Sequence, residues 1–272
     1  MTHPVTKKPT ARTAAYYTLT TALAALFALP LLFLLGQSFH GPDGFGLINY
    51  RKVIDYGEGL GTYVGNTFQL AALTVAFTVV ISTTGGYAFA RLPFRGRRIL
   101  FGVTLAILMV PYASLLLPLF ILLGWLGLQN TIVGVALVMT TLQLPFSLFM
   151  MRNSFSALPR EMEEAAMVDG CGWTGTFFRV LLPGVLPGIV TVTLYAFLAG
   201  WNEFIGPLIF LSDGDKATLP VALVSQRSGT LGHIDFGSLQ AGVIIAAVPC
   251  ALLFLLLQRY YVKGFSSGAL KG

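Results

Sequence analysis

Charged side chains are scarce in this sequence. They make up 10% of its 272 residues, whereas a soluble globular domain carries about 25%. Apolar residues account for 55% and occur in long uninterrupted runs, unlike the short alternating segments of a membrane β-barrel. A backbone in hydrocarbon must satisfy its own hydrogen bonds, which leaves helices or closed barrels. The sequence therefore predicts an all-α membrane protein and excludes a soluble one.

Residue types that serve catalysis or metal binding are also few. Cys171 and Cys250 are the two cysteines, and they show neither a disulfide framework nor metal-ligand spacing. His3, His40 and His233 fall in terminal or external segments. No Gly-x-x-x-x-Gly-Lys-Ser/Thr phosphate loop occurs. We therefore expect no catalytic residue, no metal and no cofactor in this chain, which disfavours a membrane-embedded enzyme.

Six apolar spans are predicted from hydropathy. Four of them cover residues 16–35, 67–90, 189–211 and 239–257. The third and fourth share a charge-free run over 99–151, which is too long for one crossing. The predicted organisation is a tail over 1–15, a six-span domain over 16–258 and a second tail over 259–272.

Glycines and prolines punctuate the charge-free run. Its turn is predicted in the middle, at Gly124, Gly127, Gln129 and Asn130. Proline removes a backbone donor and clashes with the preceding turn of a helix. Pro111 and Pro118 therefore predict that the third helix ends early or breaks before this turn.

Lysines and arginines are unevenly divided between the two predicted sides. With the N-terminus in the cytoplasm, 13 of the 17 fall inside and four outside, Arg51, Lys52, Lys216 and Arg227. The positive-inside rule then places both termini in the cytoplasm. The net charge of +6 reflects this bias, so no nucleic-acid partner is expected. A cleaved signal peptide is the rival interpretation of the first span, but its apolar run is longer than a typical signal core and no good cleavage site follows.

The interior segment with the least apolar character is the loop over 152–188. A short helix is predicted there. The helix dipole favours negative charge in the first turns, and three glutamates occur at that place, Glu161, Glu163 and Glu164. Pro159 suits the first helical position, and Gly170 suits the left-handed end. Helical spacing predicts one small face from Met162, Ala165 and Ala166. Such a helix either docks on another protein or lies on the bundle as an ordinary amphipathic segment.

The same loop resembles a known motif. The matching residues are Glu164, Ala165, Ala166, Gly170, Val180, Leu182 and Pro183. They resemble the "EAA…G…I-LP" loop in permease subunits of bacterial binding-protein-dependent ABC importers, with Val180 where the family often has Ile. Further segments resemble the carbohydrate-importer branch, the maltose-type permeases: 66–67, 87–91, 94–97, 109–111, 127–131, 201–204 and 264–272.

The resemblance implies a fold, partners and roles. The fold is the six-helix type I ABC importer permease fold, in the bacterial cytoplasmic membrane. The partners are a second permease subunit, an ATPase dimer that binds ATP and Mg, and an extracytoplasmic substrate-binding protein. The loop is implied to couple to the ATPase through Glu161, Glu164, Ala165, Ala166, Asp169 and Gly170. The C-terminal tail is implied to touch the ATPase through Gly268 and Lys271.

One acidic residue, Glu203, lies within a predicted span. A charge at mid-bilayer costs about 2.5–3.5 kcal/mol on insertion scales, so Glu203 faces the bundle interior or lies near the outer interface. With Trp201 and Asn202 it either lines a polar pathway, contacts the binding protein, or forms a packing and capping cluster. A stand-alone secondary transporter is the alternative function, but it predicts several intramembrane ionisable residues and inverted repeats.

Overall fold

The computed structural model describes residues 11–42, 44–227 and 235–269, with the backbone alone at residues 11, 12, 14 and 259–269. Helices dominate the described chain. The first six are α1 (Ala11–Ser38), α2 (Ile48–Ile54), α3 (Leu60–Arg91), α4 (Arg97–Ala106), α5 (Tyr112–Trp125) and α6 (Ile132–Ala157). The others are α7 (Glu161–Val168), α8 (Trp173–Thr176), α9 (Leu182–Gly184), α10 (Leu186–Trp201), α11 (Ile205–Phe210), α12 (Leu219–Arg227) and α13 (Phe236–Ala269).

Short irregular elements connect these helices. Strands β1 (His40–Gly41) and β2 (Gly44–Phe45) form an antiparallel hairpin. Two 3-10 turns cover Ile107–Met109 and Gly214–Lys216, and a π-helical turn covers Phe177–Leu181.

Six membrane crossings are consistent with this architecture. Among the described residues, four helices are long and apolar enough to cross a bilayer singly, within α1, α3, α6 and α13. Two further pairs reach that length only as bent combinations. The segment from Arg97 to Met109 bends by 108° against α5, and the segment from Trp173 to Gly184 bends by 73° against α10. The predicted all-α fold is confirmed.

The break at Pro111 is confirmed, and its cause is local. Val110 and Pro111 adopt extended backbone angles between the 3-10 turn and α5. Pro118, in contrast, lies inside α5 without ending it. The predicted turn lies between the end of α5 at Trp125 and the start of α6 at Ile132, so Gly127, Gln129 and Asn130 belong to it and Gly124 does not. There the Thr131 side chain accepts a hydrogen bond from the Gly134 amide at 3.0 Å and caps α6.

The bundle centres on α3, which packs against α6 and α10. Small residues bring these backbones together. A Cβ added to Gly86 would lie 2.6 Å from Met151 Cβ, and one added to Gly200 would lie 3.0 Å from Ala71 Cα. Membrane helices lack a hydrophobic drive to associate, so close approach of this kind supplies much of their packing energy.

Two predicted segments differ from the structure. The fifth span over 189–211 is wrong as one helix, because α10 ends at Trp201 and α11 begins separately at Ile205. In the predicted loop over 152–188, α6 continues to Ala157, and short helices and the π-turn occupy much of the remainder.

Candidate functional site

The acidic helix α7 begins at Glu161, with Arg160 as its N-cap residue. The Arg160 carbonyl accepts from the Glu163 and Glu164 amides at 2.9 and 3.1 Å, so the helix starts after Arg160. The prediction that Pro159 takes the first helical position is therefore wrong. Gly170 follows the helix with φ +85°, as its predicted left-handed end requires.

Glu163 anchors α7 to the bundle. Its Oε2 lies 3.7 Å from Nε of Arg91, and the two side chains are 11% and 6% exposed. The Tyr87 hydroxyl donates to the other carboxylate oxygen at 3.2 Å. Both partners come from the last turns of α3, so a buried charge pair and a hydrogen bond fix α7 against that helix.

Arg91 also holds the end of α6. Its guanidinium donates to the carbonyls of Phe155 and Leu158 at 2.9 and 2.7 Å. Phe155 lies in the last turn of α6, where its carbonyl also accepts from the Leu158 amide at 3.3 Å, and Leu158 is the C-cap residue. Arg91 therefore joins three helices, α3, α6 and α7, at one end of the bundle.

The remaining acidic face of α7 points away from the bundle. Glu161, Glu164, Ala165 and Asp169 are exposed, and Ala166 is buried. The predicted single face of Met162, Ala165 and Ala166 is wrong, because the Glu163–Arg91 contact turns Glu163 and Ala166 inward instead. The outer face thus exposes two glutamates together with Met162 and Val168.

Trp201 and Asn202 both contact α13, where the Asn202 amide donates to Cys250 Sγ at 3.9 Å, whereas Glu203 contacts other helices. Trp201 is 2% exposed, stacks on Phe197 at 5.6 Å and donates from Nε1 to the Ala246 carbonyl of α13 at 2.9 Å. The Asn202 amide donates to the Leu198 carbonyl of its own helix at 2.8 Å. The structure does not bring these three side chains together.

Glu203 joins two interrupted helices. Its Oε1 accepts from the Gly206 amide at 2.8 Å and from the Tyr112 hydroxyl at 3.1 Å. Gly206 lies in the first turn of α11, and Tyr112 begins α5 after the break at Pro111. The carboxylate therefore caps α11 and connects the break before α11 to the break before α5.

Polar atoms in the middle of the bundle were missed by the sequence reasoning. Thr78 and Ser147 are fully buried, and the hydroxyls of both and the Gln143 carbonyl oxygen have no hydrogen-bond partner among the described residues. Gly86 contacts Met151, so α3 and α6 run side by side with Thr78 near the level of Gln143. The sequence signal that could have predicted these buried polar groups is Gln143, an amide side chain within the charge-free run.

The predicted contact of the C-terminal tail is not tested by the structure. Lys271 lies outside the described residues, and Gly268 belongs to the part of α13 described by its backbone alone. Their implied contact with an ATPase stays a prediction.

Known proteins similar to this chain are transport permeases. It is 35% identical over 231 residues to the arabinooligosaccharides transport system permease protein AraQ of Halalkalibacterium halodurans, covering 85% of this chain and 81% of that protein. It is also 35% identical over 227 residues to the trehalose/maltose transport system permease protein MalG of Thermococcus litoralis, covering 83% and 81%.

The fold is also found in a solved structure. A bacterial ABC transporter involved in the import of the acidic polysaccharide alginate contains a chain that matches with a TM-score of 0.77 at 21% identity, over 94% of this chain and 100% of that one. The family described as "Binding-protein-dependent transport system inner membrane component" matches residues 81–267. The chain therefore belongs to this family, as a multi-pass membrane permease and not an enzyme.

Proposed function

We propose that this permease forms half of the translocation pathway of an ATP-driven importer for a carbohydrate or related solute. Relatives that are about one third identical over most of the chain are named for arabinooligosaccharide and trehalose/maltose transport, which supports a carbohydrate. A second permease subunit supplies the other half of the pathway. An extracytoplasmic binding protein delivers the solute, as the family description implies.

The energy for transport enters through a separate ATPase dimer, which binds ATP and Mg. These 272 residues contain no phosphate loop of their own. The observation that carries the coupling role is the two-sided character of α7. Its inner side is held by the Glu163–Arg91 pair, and its outer side exposes Glu161 and Glu164. A partner that binds the outer side moves α3 and α6 with it, which is rigid-body gating.

Replacing Glu164 tests this role. In the complete importer reconstituted in proteoliposomes, Glu164→Ala should uncouple ATP hydrolysis from solute uptake or weaken ATPase assembly. Losing one partner of a buried charge pair costs about 2–5 kcal/mol, or roughly 30-fold or more in affinity. Glu58→Ala is the matched control, because Glu58 is an exposed carboxylate in the loop before α3.

Two outcomes would contradict the proposal. Unchanged uptake and assembly in Glu164→Ala would remove the coupling role of α7. Solute uptake by this chain alone, without ATP or another subunit, would indicate a secondary transporter instead.

A further inference from the structure

A basic cavity opens beside the start of α4, at the same end of the bundle as α7. Its volume is about 960 Å³, and residues 93–99 line it together with Phe101 and Arg152. The lining includes four arginines, Arg95, Arg97, Arg98 and Arg152. The coupling role of α7 does not use this cavity.

The four cavity arginines have no acidic partner among the residues that the structure describes, since no carboxylate there lies within 4.0 Å of them. Arg97 donates weakly to the Ala90 and Leu92 carbonyls at the end of α3, at 3.5 and 3.3 Å. The Arg152 guanidinium lies 4.4 Å above the centre of the Phe101 ring. These contacts position two guanidinium groups and leave their charge in place.

The start of α4 strengthens the preference for an anion. Arg97 and Arg98 occupy its first turn, and Gly96 supplies no side-chain cap. The N-terminus of a helix carries a partial positive charge and unpaired amides, so cations there are unfavourable and an anion is favourable. A bound anion removes this local repulsion and pairs with the arginines at the same time.

Apolar surface surrounds the charged groups. The Phe89 ring lies 5.6 Å from that of Phe94 and 5.5 Å from that of Phe101. No residue of α4 is buried, and Ile99 and Val103 are 73% and 60% exposed. A free phosphate ion would leave this apolar surface uncovered, whereas a phospholipid covers it with acyl chains.

We propose that this cavity binds the phosphate headgroup of an anionic phospholipid. Arg95 and Arg98 contact the phosphate, and the acyl chains lie along Ile99 and Val103. Basic pockets beside membrane helices on the cytoplasmic side bind such headgroups, because the leaflet there is rich in anionic lipid. Lipid binding at this cavity does not depend on which solute the permease transports.

Lipid titration of the purified full-length chain tests the site. The probes are phosphatidylglycerol, phosphatidylcholine and inorganic phosphate, and bound lipid is counted by native mass spectrometry. Each basic residue near the surface contributes about fivefold in affinity. Arg95→Gln/Arg98→Gln should therefore bind phosphatidylglycerol roughly 25-fold more weakly than the wild type.

The control variant is Arg160→Gln/Arg179→Gln. It removes the same charge from two exposed arginines outside the cavity, and it should bind phosphatidylglycerol as the wild type does. If the double cavity variant does not fold, the single variants serve instead. Arg98→Gln should then bind phosphatidylglycerol about fivefold more weakly than Arg179→Gln does.

Several results would overturn the proposal. One is an equal loss of phosphatidylglycerol binding in both double variants. Another is phosphatidylcholine binding to the wild type as tightly as phosphatidylglycerol does. Competition by inorganic phosphate at equal concentration would indicate a free anion as the ligand. When the variants are also purified from cells that make the whole importer, loss of the ATPase from the cavity variant, with lipid binding unchanged, would make the cavity a protein contact.

Discussion

Arg91 is the residue on which one end of the bundle depends. Its side chain is 6% exposed, and it contacts the Glu163 carboxylate and the carbonyls of Phe155 and Leu158. A planar guanidinium with several donors serves such divergent acceptors better than a lysine ammonium. The charge of Arg91 is compensated in the structure by Glu163, so each residue of the pair depends on the other.

Removing Glu163 should destabilise the permease more than removing its exposed neighbour. Breaking one partner of a buried ion pair costs about 3–5 kcal/mol, whereas an exposed surface substitution usually stays within about 0.5 kcal/mol. We expect Glu163→Ala to lower the melting temperature in detergent by several degrees, and Glu163→Gln by less, since its amide oxygen still accepts from Tyr87. Glu161→Ala is the control on the same helix. Equal melting temperatures for all three variants would contradict the role of the pair.

At the scale of helices, close packing of α3 against its neighbours holds the bundle. Its inward face carries small or hydroxylated residues, among them Ala71, Thr74, Thr78 and Ser82, all fully buried. Gly86 continues this face to the end where Arg91 lies, and it approaches the backbone of α6. Close packing at Gly86 and the contacts of Arg91 therefore join α3, α6 and α7 at this end of the bundle.

Gly86→Ala should separate α3 from α6. The added Cβ would lie 2.6 Å from Met151 Cβ and 2.9 Å from the Arg152 amide nitrogen, and overpacking typically costs about 1–3 kcal/mol. Gly65→Ala in the same helix is the control, since nothing lies within 4 Å of its added Cβ and alanine is the better helix former by up to about 1 kcal/mol. Melting in detergent should be lowered only by Gly86→Ala. Equal or higher stability of that variant would exclude the close approach.

The single-helix spans within α1, α3, α6 and α13 were predictable from the sequence, because crossing the bilayer requires about 20 consecutive apolar residues. Pro111 was also informative, since a proline disrupts a helix locally. The end of α10 was not predictable, because the carboxylate of Glu203 that starts α11 is also held by Tyr112, 91 residues earlier in the chain. The orientation of α7 was missed for the same reason, since Arg91 lies far from Glu163 in sequence and meets it only in the fold.

At the scale of the whole molecule, the two ends of the bundle differ in charge. One end contains Arg91, the cavity arginines and α7. At the other, Asn130 donates to the Asp213 carboxylate at 2.5 Å, and Lys52 pairs with Asp235 at 2.6 Å. Hydrogen bonding to Lys216 and Asn130 lowers the pKa of Asp213, so that carboxyl is ionised at neutral pH. We propose that the arginine-rich end is cytoplasmic, as the positive-inside rule requires.

Two serine-to-cysteine variants test this orientation. Ser212 and Ser156 are both exposed, and they lie at opposite ends, beside Asn130 and at the end of α6. In a background with Cys171→Ser and Cys250→Ser, a membrane-impermeant maleimide should label Ser212→Cys in intact spheroplasts. Ser156→Cys should react only after permeabilisation, and equal labelling of both variants then is the control for accessibility. The reverse pattern in intact spheroplasts would invert the permease and place α7 out of reach of a cytoplasmic ATPase.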